Sequence, residues 1–246
     1  MLVDMDRSTI SLRGLRQARP DEFEPASQRS TVRRRAQRAS YDPEQVFAIL
    51  DAGLIAHVAF VHADHPFVIP MMYARVGREL ALHGSAASRM LEIGAGGAAI
   101  SACVTIVDGL VYARSAFHHS MNYRSVIVLG SAREVTEESE KRALLDALIE
   151  RSAPGRSRLV RPPNAKELAA TRVLALPIEE ASAKVRTGGP IDDEDDMAVP
   201  VWTGQLPIAL RAMSYIPTPD PTPDDAPKFP PPERRAGSID RVRRAG

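Results

Sequence analysis

Apolar and polar residues change rhythm several times along the chain, and each change marks an element. Asp42-Pro43-Glu44 has the form of a helix start, with Asp as cap and proline in the first turn. Val46, Phe47, Ile49 and Leu50 then share one face, and Gly53 ends the helix. Leu54 to Val61 is apolar apart from His57, and Phe67 to Ala74 is a second apolar run; both predict strands, joined by a turn at Ala63-Asp64-His65. Pro70 lies inside the second run. Proline cannot donate to a sheet ladder, so it predicts an edge or a bulge. After a turn at Val76-Gly77-Arg78, Leu80 and Leu82 alternate with Ala81 and His83 as in a strand. Gly84 and Ser85 break it, and Ser88-Arg89-Met90-Leu91-Glu92 begins helical spacing that Gly94-Ala95-Gly96-Gly97 closes.

The second half continues with strands and helices and shows no internal repeat. Ala98 to Val107 predicts a buried strand, Asp108-Gly109 a tight turn or a bulge, and Leu110 to Ser115 more strand. A loop from Ala116 to Asn122 leads into a strand opened by Tyr123-Arg124-Ser125 and extending to Val135. Thr136-Glu137-Glu138 starts a helix whose apolar face is Leu144, Leu145, Leu148 and Ile149, and Pro154-Gly155 ends it. Asn164-Ala165-Lys166-Glu167 has the form of a capping box for a short helix to about Arg172, and Val173 to Ile178 reads as the final core strand. Successive hairpins predict a meander or barrel in one α+β domain, residues 31–215. Residues 1–30 predict a flexible Arg-rich arm, and residues 216–246, rich in Pro, Asp and Arg, a disordered tail.

Composition narrows the function classes. An apolar fraction of 44% over 246 residues supports a sizeable core, while a net charge of +1 gives no global case for nucleic acid or an anionic membrane. No window approaches the roughly 18 apolar residues of a membrane helix, and arginines interrupt the N-terminal stretch where a secretory core would lie. The expected location is cytoplasmic. The single cysteine, Cys103, excludes an intramolecular disulfide framework and reads as a core residue.

Two clusters carry candidate chemistry. Ser85, Ser88 and Arg89 fall where a strand gives way to a helix, with His83 and Gly84 just before them; hydroxyls and a planar guanidinium on one turn suit a phosphate. The bland alternative is a Ser-capped helix with a surface arginine. Asn122, Tyr123, Arg124 and Ser125 form the second cluster, and Arg124 in an apolar strand requires an anion or a carboxylate. Pro70, Met71, Met72 and Tyr73 offer a flat wall for a ring, so that phosphate clamp and apolar slot together suit a mononucleotide such as FMN. His57, inside an apolar strand, reads as a core histidine. No metal site is expected: His118 and His119 are adjacent and point opposite ways in an extended segment. A nucleophile elbow and a dinucleotide fingerprint are both missing.

The order and spacing of Arg38-Ala39-Ser40-Tyr41-Asp42, Pro66-Phe67-Val68-Ile69-Pro70, His83-Gly84-Ser85-Ala86-Ala87-Ser88-Arg89 and His119-Ser120-Met121-Asn122-Tyr123-Arg124-Ser125-Val126 resemble the FMN-binding split-barrel flavoproteins of the pyridoxamine 5′-phosphate oxidase-like superfamily. Within that superfamily they are most similar to the nitroimidazole-resistance branch. The resemblance runs from about Thr31 to Leu210. It implies a six-stranded antiparallel split barrel with flanking helices, a homodimer, and FMN at the subunit interface. It places Pro70 to Tyr73 beside the isoalloxazine and Ser85, Ser88 and Arg89 at the phosphate. It makes Tyr123, Arg124 and Ser125 a second clamp, and brings Lys184, Arg186 and Trp202 to the flavin from the other subunit. The implied activity is an FMN-dependent oxidoreductase taking electrons from reduced nicotinamide to a small electron-poor substrate. Alternatives are a non-catalytic flavin-binding or sensing protein, and a deazaflavin- or haem-binding barrel. The substrate signature of true pyridoxal-phosphate oxidases is missing. No catalytic residue is assigned, His83 and His119 being the nearby titratable groups.

Overall fold

The Asp42 carboxylate accepts hydrogen bonds from the backbone N–H groups of Glu44 and Gln45, at 3.2 and 3.3 Å, and so caps helix α1 (Pro43–Ala52). Such a cap contributes about 1 kcal/mol. A computed structural model describes residues 27–216 and 218; the expected arm up to residue 26 and most of the expected tail lie outside the described residues. Val46, Ile49 and Leu50 of α1 enter the core. Gly53 follows the helix because of close approach rather than a left-handed turn: its φ is −72°, and a Cβ there would collide with Val104 Cγ1 and lie 2.9 Å from the Tyr73 hydroxyl.

Ten antiparallel strands follow or flank α1: β1 (Ala39–Ser40), β2 (Ile55–His62), β3 (His65–Val76), β4 (Glu79–Ser85), β5 (Ala99–Tyr112), β6 (Ser120–Ser131), β7 (Arg133–Glu134), β8 (Thr171–Pro177), β9 (Glu180–Arg186) and β10 (Gly204–Pro207). Their order is β1-β9-β6-β5-β2-β3-β4-β8-β7, with β10 added to β5. Seven of them have seven residues or more, so the expected count of six is not what the sheet contains. The extra long strand is β9. Its outward residues are Glu180, Ser182, Lys184 and Arg186, and its inward ones are Ala181, Ala183 and Val185, so it lacks the bulky apolar residues that mark a strand.

Helices α2 (Arg89–Ala95), α3 (Glu138–Ser152) and α4 (Ala165–Ala170) complete the fold. The interior of the barrel holds Val58 and Phe60 of β2, Leu80 and Leu82 of β4, Val126 and Val128 of β6, and Leu174 and Leu176 of β8, closed by α1 and α2. Leu144 and Leu148 of α3 cover a smaller cluster with Ala74, Ala81, Val173 and Ala175 on the other side of β4 and β8. The cap of α3 is Glu137, which accepts from Ser139 and Glu140. At α4, Asn164 and Glu167 form the expected capping box.

Two irregularities shape the site. β5 is one strand with a bulge at Asp108, between Val107 and Gly109, so the bulge rather than the tight turn is found there. β3 pairs with β2 along His65–Met72 but with β4 only along Tyr73–Val76. The second edge of His65–Met72 therefore has no strand beside it among the described residues, and Pro70 sits on that free edge, where its missing N–H costs nothing. The N-terminal contacts begin before the expected boundary at residue 31. Ser27 and Arg29 donate to the Glu180 carboxylate, and Ser30 is buried. No helix among the described residues is long and apolar enough to cross a membrane.

Candidate functional site

Register assigns the outer face of the sheet. Pro70 lies opposite His57, His57 opposite Cys103, Cys103 opposite Ile127 and Ile127 opposite Ser182, a single row across β3, β2, β5, β6 and β9. Ala56, Val58 and Phe60 point inward between these outward positions. His57 is thus exposed on the outer face, and the expectation of a core histidine is corrected. Around it Ile55, Val68, Met72 and Ile127 are 51%, 60%, 40% and 42% exposed. The imidazole makes no hydrogen bond or ion pair among the described residues. The alternation of buried residues in β2 was the signal for this placement. Cys103 also faces outward, half-buried, rather than into the core.

The first cluster gathers at the free edge of β3. Ser85 ends β4 and its hydroxyl accepts from Ala87 N–H at 3.2 Å, while Ser88 donates its N–H to Ser85 O at 2.9 Å. The Ser88 hydroxyl makes no cap bond. The Arg89 guanidinium lies over the Phe67 ring, 5.4 Å from its centroid, and has no carboxylate partner among the described residues. Phe67 in turn stacks on Phe60 at 5.5 Å, which fixes the platform. Phe67 is the residue this cluster gains from the structure. Gly84 packs toward Leu91. His83 is half-buried, its Nδ1 has no partner among the described residues, and burial pushes its pKa down. Pro70 and Met72 face out and Met71 is half-buried, but Tyr73 is withdrawn into the core. Its hydroxyl donates to Leu50 O at 2.5 Å, its ring lies under Arg151, and burial raises its pKa to about 12. The Tyr73 side chain is therefore no part of the apolar wall.

The second cluster sits elsewhere. Arg124 is held by Asp108 through bonds of 2.9 and 2.7 Å, with both side chains mostly buried, so the carboxylate alternative is the one realised. Asn122 donates to Gly188 O and Gln205 Oε1 and accepts from Arg186. Arg186 also donates to Gly189 O, leaving its buried Nε without an acceptor. Ser125 donates to Lys184 O at 3.4 Å, and Tyr123 lies opposite Arg186. Lys184 donates to Arg34 O. Trp202 is 71% exposed and lies 5.8 Å from the Tyr112 ring, which meets His119 edge-on at 6.0 Å. β5 and β2 separate β6 from β3, which at ~4.8 Å per strand is about 14 Å. One chain therefore does not bring the two clusters together.

His118, Asp193 and Asp196 place ligand atoms within 4.8 Å of one another, a grouping the sequence spacing does not reveal. His118 is bonded to Asp193 at 3.0 Å, and Asp193 is largely exposed.

The architecture defines the class as an α+β split barrel built on an antiparallel sheet. The chain belongs to the pyridoxamine 5′-phosphate oxidase family, whose model matches residues 42–185. It is similar to the flavocytochrome Anf3 from Azotobacter vinelandii, with 42% identity, 81% of this chain and 92% of that one covered, and a TM-score of 0.77. It is also similar to a FAD and haem binding protein from Mycobacterium smegmatis, with 38% identity, coverage of 80% and 96%, and a TM-score of 0.73. A protein described as a 5-nitroimidazole antibiotic resistance protein from Bacteroides thetaiotaomicron matches at 18% identity, coverage of 60% and 86%, and a TM-score of 0.48, too low to weigh beside the first two. No curated protein matches the sequence.

Proposed function

We propose that the protein is a homodimeric oxidoreductase that binds a flavin and a haem. The observation carrying the haem is His57: an imidazole without a partner among the described residues, in the middle of an exposed apolar sheet face. Haem iron takes an axial imidazole, and its macrocycle needs apolar surroundings. Ile55, Val68 and Met72 supply such surroundings beside His57. The named relatives, a flavocytochrome and a FAD and haem binding protein, support the same reading.

The flavin belongs at the free edge of β3. Backbone groups of His65–Met72 that have no ladder partner among the described residues line one side, and Arg89 over Phe67 offers a guanidinium with no carboxylate partner among those residues. FMN and FAD both present such a phosphate, so the reading is of a flavin rather than of FMN alone. The group supplies hydride acceptance and one-electron release when bound; the protein supplies binding, orientation and exclusion of water. Reduced nicotinamide is the proposed donor, and a small electron-poor molecule or the haem the acceptor.

A second copy completes the site. Exposed contiguous apolar surface of this kind is an interaction face, and in the dimer proposed here the second cluster of one chain meets the first cluster of the other. The unfilled Arg186 Nε then has a ligand to meet. The test is reconstitution with hemin and flavin: His57→Ala is expected to lose haem and keep flavin. Retention of haem at unchanged affinity would overturn the assignment.

A further inference from the structure

The edge of β5 is shared end to end by two strands. β2 occupies it at Ser101–Cys103 and β10 at Gly109–Tyr112. β10 runs antiparallel to β5, so beyond Pro207 the chain heads straight toward Ile55 at the start of β2. Ile208 makes one more bond, its N–H to Asp108 O at 3.0 Å, and the segment must then leave the sheet because β2 fills the edge ahead. By register the next positions along that edge are those of Val107 and Ile55, both exposed at the border of the outer face.

The segment from Ile208 to Ile216 is itself apolar. Leu210, Met213 and Ile216 are 73%, 83% and 96% exposed, and Arg211 is its one charged residue. Its nine residues reach about 30 Å when extended. Within one chain the segment and the face are both exposed, so neither covers the other. We propose that residues 208–216 are a dimerisation arm that lies along the β5–β6 side of the outer face of a second copy, at Val107 and Ile127 and beside rather than over the haem at His57, each chain clasping its partner. The inference rests on the homodimer reading above and adds to it the element that closes the interface. It also puts the functional edge of the domain beyond residue 215.

Cys103, the one cysteine, sits on that face and serves as a reporter. A chain carrying Met213→Cys and Cys103→Ser is mixed with the unaltered chain and treated with a long bismaleimide. A cross-linked heterodimer is expected. A chain with both Cys103 and Met213→Cys that cross-links only within itself would overturn the proposal, as would no cross-link at all. In parallel, Leu210→Asp with Met213→Asp, both on an exposed segment, is expected to raise the dimer dissociation constant at least about tenfold. An unchanged constant would overturn the arm and leave the homodimer standing, whereas a monomeric unaltered chain would overturn both.

Discussion

Arg124 grips Asp108 across the bulge of β5, with two hydrogen bonds of 2.9 and 2.7 Å between side chains that are 12% and 14% exposed. The extra residue of the bulge places a carboxylate against an arginine that otherwise stands in an apolar strand. Removing one partner strands the other charge in a poorly solvated place. Arg124→Ala is therefore expected to lower stability by about 3 kcal/mol, read by chemical denaturation. Flavin affinity of the protein that remains folded should be far less affected.

Arg89 is the opposite case. It has an aromatic support and no carboxylate, so its replacement removes little from the fold. A hydrogen bond to a charged phosphate is worth about 1.5–3 kcal/mol. Arg89→Ala is expected to weaken flavin binding about ten- to a hundredfold, with the melting point of the ligand-free protein nearly unchanged. Titration of flavin into ligand-free protein checks it, and unchanged affinity would remove Arg89 from the site.

Much of the fold was legible in the residues. The Asp42 cap, the Pro70 edge and the Asn164 capping box each follow from local chemistry that nothing distant overrides. β9 was missed because alanine, serine and charged residues carry little strand signal, and β10 because Gly-Gln-Leu-Pro is too short to show a period; both pair with partners far along the chain. The site was less legible for the same reason. Ser85, Ser88 and Arg89 do share one turn, but whether Arg124 meets phosphate or carboxylate depends on Asp108, at a position whose role is set by the bulge. Tyr73 reads as part of an apolar wall in sequence, yet inward alternation in β3 buries it.

His83 gives a pH dependence. Burial lowers its folded pKa below the ordinary 6.5, so as pH falls the unfolded chain takes up a proton first. Stability is then expected to be full above pH 6.5 and to decline as pH drops through the lowered folded value. Melting curves across that range check this: His83→Gln should flatten the decline, and an identical slope would contradict it.

The N-terminal contacts give another. Arg29 and Ser27 hold the Glu180 carboxylate, and the Arg29 bond lowers its pKa from 4.5. Their contribution is present above pH 4.5 and lost as pH falls through the folded value. A chain beginning at residue 27 is expected to melt like the full chain, and one beginning at residue 31 to melt lower at neutral pH. The gap should narrow in acid, and equal melting at neutral pH would place the boundary at 31.

The central claim is that one chain carries both a flavin and a haem, and an absorbance spectrum of the purified protein, with mass spectrometry of the released ligands, tests it most directly. The account predicts flavin bands together with a Soret band, a released flavin and a released haem, and loss of the Soret band alone in His57→Ala. A flavin spectrum with no haem, before and after incubation with hemin, would contradict it.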